Sequence, residues 1–186
     1  MREKGKHRQE GTKVIFLDID GVLNYQLMWE EKVQHLRHKE LPADTPKGAH
    51  DICEKKVKLL NELIRSTDAK VVVSSSWRKN RSVESLQEVL DYKGFKGEII
   101  GKTPYLNFAF DESFPYNYSV PRGCEIKAWL ETNKVKLNTK MSKVKYVILD
   151  DDSDMLYCQR EQYFRIDGHC GLTPNVVHRA GIFLNK

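Results

Sequence analysis

The sequence is poor in the features that mark secreted, membrane and zinc-binding proteins. It has four cysteines, Cys53, Cys124, Cys158 and Cys170, and no two of them form a C-x-x-C pair. Neither a disulfide framework nor a zinc knuckle is therefore indicated. No stretch approaches the roughly 18 consecutive apolar residues of a membrane span, and the basic N-terminal residues include no apolar signal segment. We expect reduced thiols, a cytoplasmic location and no membrane partner.

A strong excess of one charge is also missing. The 186 residues include 31 Lys+Arg and 26 Asp+Glu, and the net charge of +5 favours a polyanionic partner without requiring one. A hydrophobic content of 40% is enough for the core of one ordinary domain. Because residues 1–12 are basic and lack periodicity, we predict a flexible N-terminal arm over 1–12 and a single domain over 13–186.

Short apolar runs followed by polar residues recur along the chain. They cover residues 14–17, 71–73, 98–100 and 146–149, and residues 163–166 are a candidate fifth. Such runs are typical of strands buried on both faces of a parallel sheet. Between them, apolar residues recur at helical spacing within 57–64, 83–90 and 126–130. This alternation predicts an α/β, Rossmann-like, doubly wound parallel sheet, interrupted by loop-rich insertions at 24–50 and 101–121.

Polar side chains follow three of these runs. Asp18 and Asp20 come after the first, serines 74–76 after the second, and aspartates 150–152 after the fourth. Ligands of open parallel sheets bind beyond the carboxyl ends of the strands, so we expect these side chains to converge. Neighbouring carboxylates repel each other unless they are protonated or neutralised, and an oxygen-rich cluster suits a hard cation such as Mg²⁺.

The segment FLDIDGVLN, residues 16–24, resembles the first motif of haloacid dehalogenase (HAD) phosphatases, hhhhDxDGxL. The resemblance implies a Mg²⁺-dependent phosphohydrolase in which Asp18 attacks phosphorus and forms an aspartyl-phosphate. Asp20 would protonate the leaving oxygen and then activate water. The Asp18 carboxylate and the Asp20 backbone carbonyl would both bind Mg²⁺. A turn whose Asp and Gly serve only the backbone is the alternative explanation of D-x-D-G.

Two further segments resemble the family motifs that bind phosphate. A serine at the end of the second strand would bind the transferring phosphoryl group, and we favour Ser74, with Ser75 as the alternative. The third motif usually supplies a lysine. Here Arg122, in PRGCEI, is its predicted replacement because arginine binds phosphate in a bidentate manner, and Lys102 and Lys127 remain alternatives.

The run LDDDSD, residues 149–154, resembles the fourth, acidic motif. The resemblance implies that Asp150 reaches the metal and that Asp151 orients a water molecule on it, with Asp154 as the alternative to Asp151. Aspartates at a helix N-terminus would explain part of this run without catalysis. Three consecutive acids directly after a buried strand favour the metal site.

Taken together, DxDGVLN, VVVSSSWR, RGxEIxxWL and YVILDDDSD are most similar to the small HAD domains associated with RNA-repair proteins. Neither insertion is long enough for a large cap domain, so the resemblance implies an open crevice that admits a bulky substrate. A terminal phosphate on RNA or DNA is the leading expectation. The alternatives are a nucleotide or other small phosphoester, a phosphoprotein, and a non-catalytic phosphate-sensing or partner-binding module.

Candidate contacts for a nucleic-acid end lie near the second strand and in the second insertion. Trp77 and Arg78 follow the serines, and cations and aromatic rings of this kind bind phosphates and bases. Packing inside the protein is the alternative for each of them. A nucleic-acid repair ligase or kinase is a possible associated protein. The aromatic residues of the second insertion are Tyr105, Phe108, Phe110, Tyr116 and Tyr118.

Overall fold

The computed structural model describes residues 11–29, 42–106, 120–133 and 144–186. Five strands form one parallel sheet in the order β3-β2-β1-β4-β5. The chain therefore winds outward from β1 in one direction and then in the other, which is the doubly wound arrangement predicted from the sequence. The strands are β1 (Lys13–Leu17), β2 (Lys70–Val73), β3 (Ile99–Lys102), β4 (Lys145–Asp150) and β5 (Tyr163–Arg165).

Besides the helical residues 26–29, four helices of the described residues accompany the sheet, and the first three are at the predicted positions. The fourth, at the C-terminal end, is not among the sequence predictions. Its start nevertheless follows a recognisable pattern, because the Thr173 side chain accepts a hydrogen bond from the Val176 N–H and Pro174 occupies the first helical position. The helices are α1 (Glu54–Thr67), α2 (Val83–Tyr92), α3 (Arg122–Asn133) and α4 (Pro174–Asn185).

The two faces of the sheet bury two separate apolar clusters. Side chains of α1, α2 and α4 join the first cluster, and those of α3 join the second. In the second cluster, Phe16 contacts Trp129 edge to face with ring centres 5.4 Å apart. Because side chains alternate along a strand, Asp18 and Asp150 follow Phe16 and Ile148 onto the α3 side. The strand residues of the second cluster are Val14, Phe16, Val72 and Ile148.

The third strand differs from its prediction. The sequence predicts a strand over 98–100 that ends at Gly101, whereas β3 covers Ile99–Lys102 and passes through this glycine. Gly101 lies against the Trp129 ring, where an added Cβ would stand 3.1 Å from Nε1. The glycine therefore allows close packing within the strand and does not end it.

The two insertions are described only in part. In the first, residues 26–29 are helical and a short 3₁₀ turn covers Ala49–Asp51. Within the described residues no separate cap domain is present. Residues 1–10 of the predicted arm and the aromatic residues at 108, 110, 116 and 118 lie outside the described residues. In the described part of the chain, no helix has the length and apolar character needed to cross a membrane.

Candidate active site

The pairing register of the sheet brings the predicted motifs to one edge. Strand β1 pairs with β4 so that Leu17 is opposite Leu149, and the Asp18 N–H donates to the Leu149 carbonyl at 2.9 Å. Asp150 directly follows Leu149 at the end of β4. On the other side of β1, the Ser74 N–H donates to the Leu17 carbonyl at 2.8 Å. Segments far apart in sequence therefore meet where the strand order reverses, which is the usual ligand site of such sheets.

Three carboxylates form a compact cluster at this edge. Asp18, Asp150 and Asp151 each place an oxygen within 4.8 Å of the others. Asp150 is fully buried and its Oδ1 accepts the Asp152 N–H at 2.9 Å, but its Oδ2 makes no hydrogen bond within the described residues. A buried carboxylate oxygen without a donor is costly, and three acidic oxygens this close suit a hard divalent cation. The three carboxylates could therefore hold a metal ion such as Mg²⁺, and the contact expected from the Asp20 backbone carbonyl stays a prediction.

The pKa values of the buried acids also indicate that a positive charge would stabilise their ionised forms. Burial and then the charge of Asp18 raise the pKa of Asp150 to about 8. Burial raises the pKa of Asp18 to about 6, while the Arg122 guanidinium acts in the opposite direction. Burial also raises the pKa of Asp151. Asp150 therefore tends to retain its proton near neutral pH unless a cation neutralises it, and burial disfavours the ionised form of Asp18 and Asp151 as well.

Arg122 is the cation that reaches Asp18. Its Nη1 lies 3.4 Å from Asp18 Oδ1 and 3.6 Å from Asp150 Oδ2. Arg122 opens α3, and its backbone N–H donates to Asp154 Oδ2 at 2.7 Å. Of the two alternatives, Lys102 donates from Nζ to the carbonyls of Arg78 and Arg81, and Lys127 is exposed on α3.

Asp151, and not Asp154, belongs to the acidic cluster, and two glycines make room for it. An added Cβ would stand 2.1 Å from Asp151 Oδ2 at Gly21, whose φ is +72°, and 2.5 Å from it at Gly168. Any larger residue would displace the carboxylate. Gly21 was recognised from its motif, whereas no pattern in the sequence marks Gly168. Asp154 instead supplies the carboxylate that holds the first residue of α3.

The two candidate serines have different surroundings. The Ser75 side chain lies near enough to the Asp18 carboxyl group to lower its pKa, and the Ser75 Oγ accepts the Trp77 N–H at 3.4 Å. Ser74 Oγ is buried and makes no hydrogen bond with a described residue. The geometry thus favours Ser75, the alternative in the sequence analysis, as the serine next to Asp18.

Asp20 lies at the open side of the site and is held by three donors. Asn24 Nδ2 and Trp77 Nε1 donate to its Oδ1 at 2.8 and 3.0 Å, and Ser76 Oγ donates to its Oδ2 at 3.1 Å. Asn24 is itself buried and accepts the Gly21 N–H at 2.9 Å. Trp77, predicted as a substrate contact, therefore touches the side chain of Asp20. The sequence predictions bring Ser76 to this edge but assign no role to Ser76 or Asn24, because that role depends on side-chain direction.

Arg78, the second predicted substrate contact, lies inside the protein. Its side chain is 5% exposed and pairs with Glu125 of α3, which is equally buried. Arg78 also donates from Nη1 to the Ser75 carbonyl at 2.6 Å, and Glu125 accepts the Leu106 N–H at 3.1 Å. The pair joins the segment of serines 74–76 to α3, the helix that carries Arg122. Little of its surface is left for a substrate, so we assign Arg78 a positioning role.

Comparison with known proteins identifies a matching family. A family model described as "HAD domain in Swiss Army Knife RNA repair proteins" matches residues 14–177. The matched region begins inside β1 and ends inside α4, so it includes every residue of the acidic cluster. No curated protein matches the chain.

Proposed function

Because the chain belongs to the family of HAD domains in Swiss Army Knife RNA repair proteins, we propose that it is a Mg²⁺-dependent phosphohydrolase that removes a terminal phosphate from a nucleic-acid end. One observation carries the proposal. Asp18 is buried where the strand order reverses, with Arg122 at 3.4 Å and Asp150 and Asp151 beside it. This arrangement combines a nucleophile, a fixed cation and acids suited to a metal.

The first step is attack on the terminal phosphate by Asp18. A carboxylate oxygen forms the new bond to phosphorus, and the bond from phosphorus to the leaving oxygen breaks. Arg122 and Ser75, both in contact with Asp18, would donate hydrogen bonds to the phosphoryl oxygens. When bound by Asp18, Asp150 and Asp151, Mg²⁺ supplies positive charge that neutralises the phosphoryl oxygens.

Asp20 acts as the general acid in the first step and as the general base in the second. It gives a proton to the leaving oxygen in the first step and takes one from water when the aspartyl-phosphate is hydrolysed. The donors Asn24, Ser76 and Trp77 fix the direction of its carboxyl group. Since Asp20 is exposed at the open side of the site, a bulky leaving group can reach it.

Replacement of Asp18 with Asn tests the nucleophile. The variant keeps the shape of the side chain, so we expect an intact fold by circular dichroism and a loss of turnover on the order of 10⁴-fold. Asp91→Asn, an exposed change on α2, is the matched control and should retain wild-type turnover. Activity of Asp18→Asn close to that of the wild type would contradict an aspartyl-phosphate mechanism.

The choice of substrate tests the rest of the proposal. Turnover with Mg²⁺ is measured on 3′- and 5′-phosphorylated oligonucleotides and on mononucleotides. The family description and the net charge of +5 support the nucleic-acid end. Equal turnover of both classes would remove the nucleic-acid part, and no turnover of any phosphoester would favour the non-catalytic alternative. A single domain over 13–186, a cytoplasmic location and an associated ligase or kinase stay predictions.

A further inference from the structure

A cavity of about 570 Å³ opens beside Asp20, and the reaction described above leaves it without a role. Its volume is typical of sites for small ligands. Because Asp20 is the proposed acid, the leaving oxygen has to lie next to it, and the rest of the leaving group then faces this cavity. Besides Asp20, the walls include Lys47, Asp51, Trp77, Asn80 and Arg81.

Arg81 is held in place in the wall of this cavity. Its Nη1 donates to the Lys47 carbonyl at 2.8 Å, and its guanidinium carbon lies 4.9 Å from the centre of the Trp77 ring. The Arg81 carbonyl accepts Lys102 Nζ, which fixes its backbone. Arg81 forms no ion pair with any residue in the described ranges. A guanidinium has five N–H donors, so an ordered arginine here retains donors for an anion.

The cavity is lined by two acids and two cations, and neither cation forms an ion pair with an acid of the described residues. Asp20 accepts hydrogen bonds from three side chains, and Asp51 lies 2.8 Å from His50 Nε2. Lys47 is exposed, and within the described part of the chain its ammonium group makes no ion pair. Two positive charges without acidic partners therefore face a space next to the proposed acid. Such charges attract an anion that belongs to the leaving group.

Trp77 serves this arrangement as a support. Its ring contacts the Arg81 guanidinium, and an added Cβ at Gly48 would stand 3.1 Å from two atoms of the same ring. Gly48 has a φ of +89°, and that added Cβ would also lie 2.8 Å from Arg81 Nη2. The glycine thus lets the main chain, the indole and the guanidinium pack together. This packing holds the Arg81 guanidinium in the wall of the cavity.

We propose that Arg81 and Lys47 form a second phosphate subsite, which binds the phosphodiester next to the terminal phosphate of a nucleic-acid end. This subsite rests on the proposed function, because it specifies the leaving group of the same reaction. A mononucleotide or other small phosphoester has no phosphodiester to place there. The subsite therefore makes the protein select an oligonucleotide over a mononucleotide.

Binding to labelled oligonucleotides tests the subsite independently of turnover. Fluorescence anisotropy gives the affinity of the full chain with Mg²⁺ for short single strands that carry a 3′ or a 5′ terminal phosphate. We expect Arg81→Gln to weaken binding by about tenfold to a hundredfold, since a charged hydrogen-bonding contact to a phosphate is lost. The slope of log affinity against log salt concentration should decrease by about one.

Three further variants sharpen the comparison. Arg81→Lys keeps the charge without the planar fork and should bind with intermediate affinity. Lys47→Gln removes an exposed charge from the same cavity and should also reduce the salt dependence. Arg65→Gln is the matched control, because Arg65 is exposed in the last turn of α1, at the opposite edge of the sheet. Its affinity should stay within about twofold of the wild type.

The outcomes separate this subsite from the catalytic proposal. Oligonucleotide binding that depends on Arg81, without turnover, would support the subsite and contradict the phosphohydrolase. Turnover of oligonucleotides with Arg81→Gln binding as tightly as the wild type would overturn the subsite alone. Equal losses in Arg81→Gln and Arg65→Gln, or no oligonucleotide binding by the wild type, would also overturn it. If Arg81→Gln fails to fold, the oligonucleotide affinities of Arg81→Lys and Lys47→Gln are compared with that of the wild type, and wild-type affinity in both variants would overturn the subsite.

Discussion

Replacement of Asp150 with Asn should make the stability of the metal-free protein less sensitive to pH. Burial and the charge of Asp18 raise the pKa of Asp150 to about 8, from an ordinary value of 3.8. A group whose pKa is higher in the folded state stabilises the fold at low pH, and that contribution is lost as pH rises toward the folded value. Between pH 5 and pH 7 the loss amounts to about 2 to 3 kcal/mol, because each pH unit contributes about 1.4 kcal/mol while the group is protonated only in the folded state.

Urea unfolding in the presence of EDTA measures this effect at pH 5, 6, 7 and 8. The free energy of unfolding of the wild type should fall as pH rises. Asp150→Asn should show a flatter profile, because the amide cannot ionise while its Oδ1 can still accept the Asp152 N–H. Asp91→Asn, in which the exposed side chain keeps its acceptor for Gln87, should follow the wild type.

Addition of Mg²⁺ completes the experiment. At pH 8 the metal should stabilise the wild type, because ligation favours the ionised carboxylates. Asp150→Asn should gain much less, because one ligand of the cluster is missing. Parallel pH profiles for the wild type and Asp150→Asn, together with equal stabilisation by Mg²⁺, would refute both the buried charge and the metal site.

Three other substitutions probe the neighbours of the acidic cluster and the acid/base residue. Gly168→Ala would place a Cβ 2.5 Å from Asp151 Oδ2, which should weaken Mg²⁺ binding about tenfold. Thermal unfolding at increasing Mg²⁺ measures the concentration that gives half of the maximal stabilisation, and an unchanged concentration would contradict this. Arg122→Gln should lower kcat/KM by about a hundredfold. Because the arginine lowers the pKa of Asp18, the acid limb of the pH–rate profile should also move to higher pH, and an unmoved limb would argue against the contact. Asn24→Ala removes the 2.8 Å hydrogen bond to the acid/base carboxylate and should reduce kcat about tenfold; a change confined to KM would show that orientation is not its role.

The strands and the first three helices could be predicted because burial leaves a local trace. A strand covered on both faces is continuously apolar, as in residues 14–17, and a helix with one buried side repeats apolar residues at 3.6-residue spacing, as in α1. The same traces place Asp18 and Asp150 at one edge of a parallel sheet. The bounds of β3 and the presence of α4 were harder to predict from the sequence. Gly101 is typical of strand ends, and the apolar pattern of α4 was not recognised although Thr173 and Pro174 indicate its start.

The sequence by itself determined the parallel sheet and the family of the protein. It also determined that Asp18, Asp20 and the acidic residues 150–152 meet at one edge of the sheet, because each of these depends on periodicity or on motif spacing. Only the tertiary structure decided which side chains touch. It buried Arg78 against Glu125, 47 residues away, and placed Arg81 beside the cavity next to Asp20. Such contacts join segments through side-chain direction and packing. No local pattern in the sequence encodes either property, so these neighbours could not be predicted before the chain was folded.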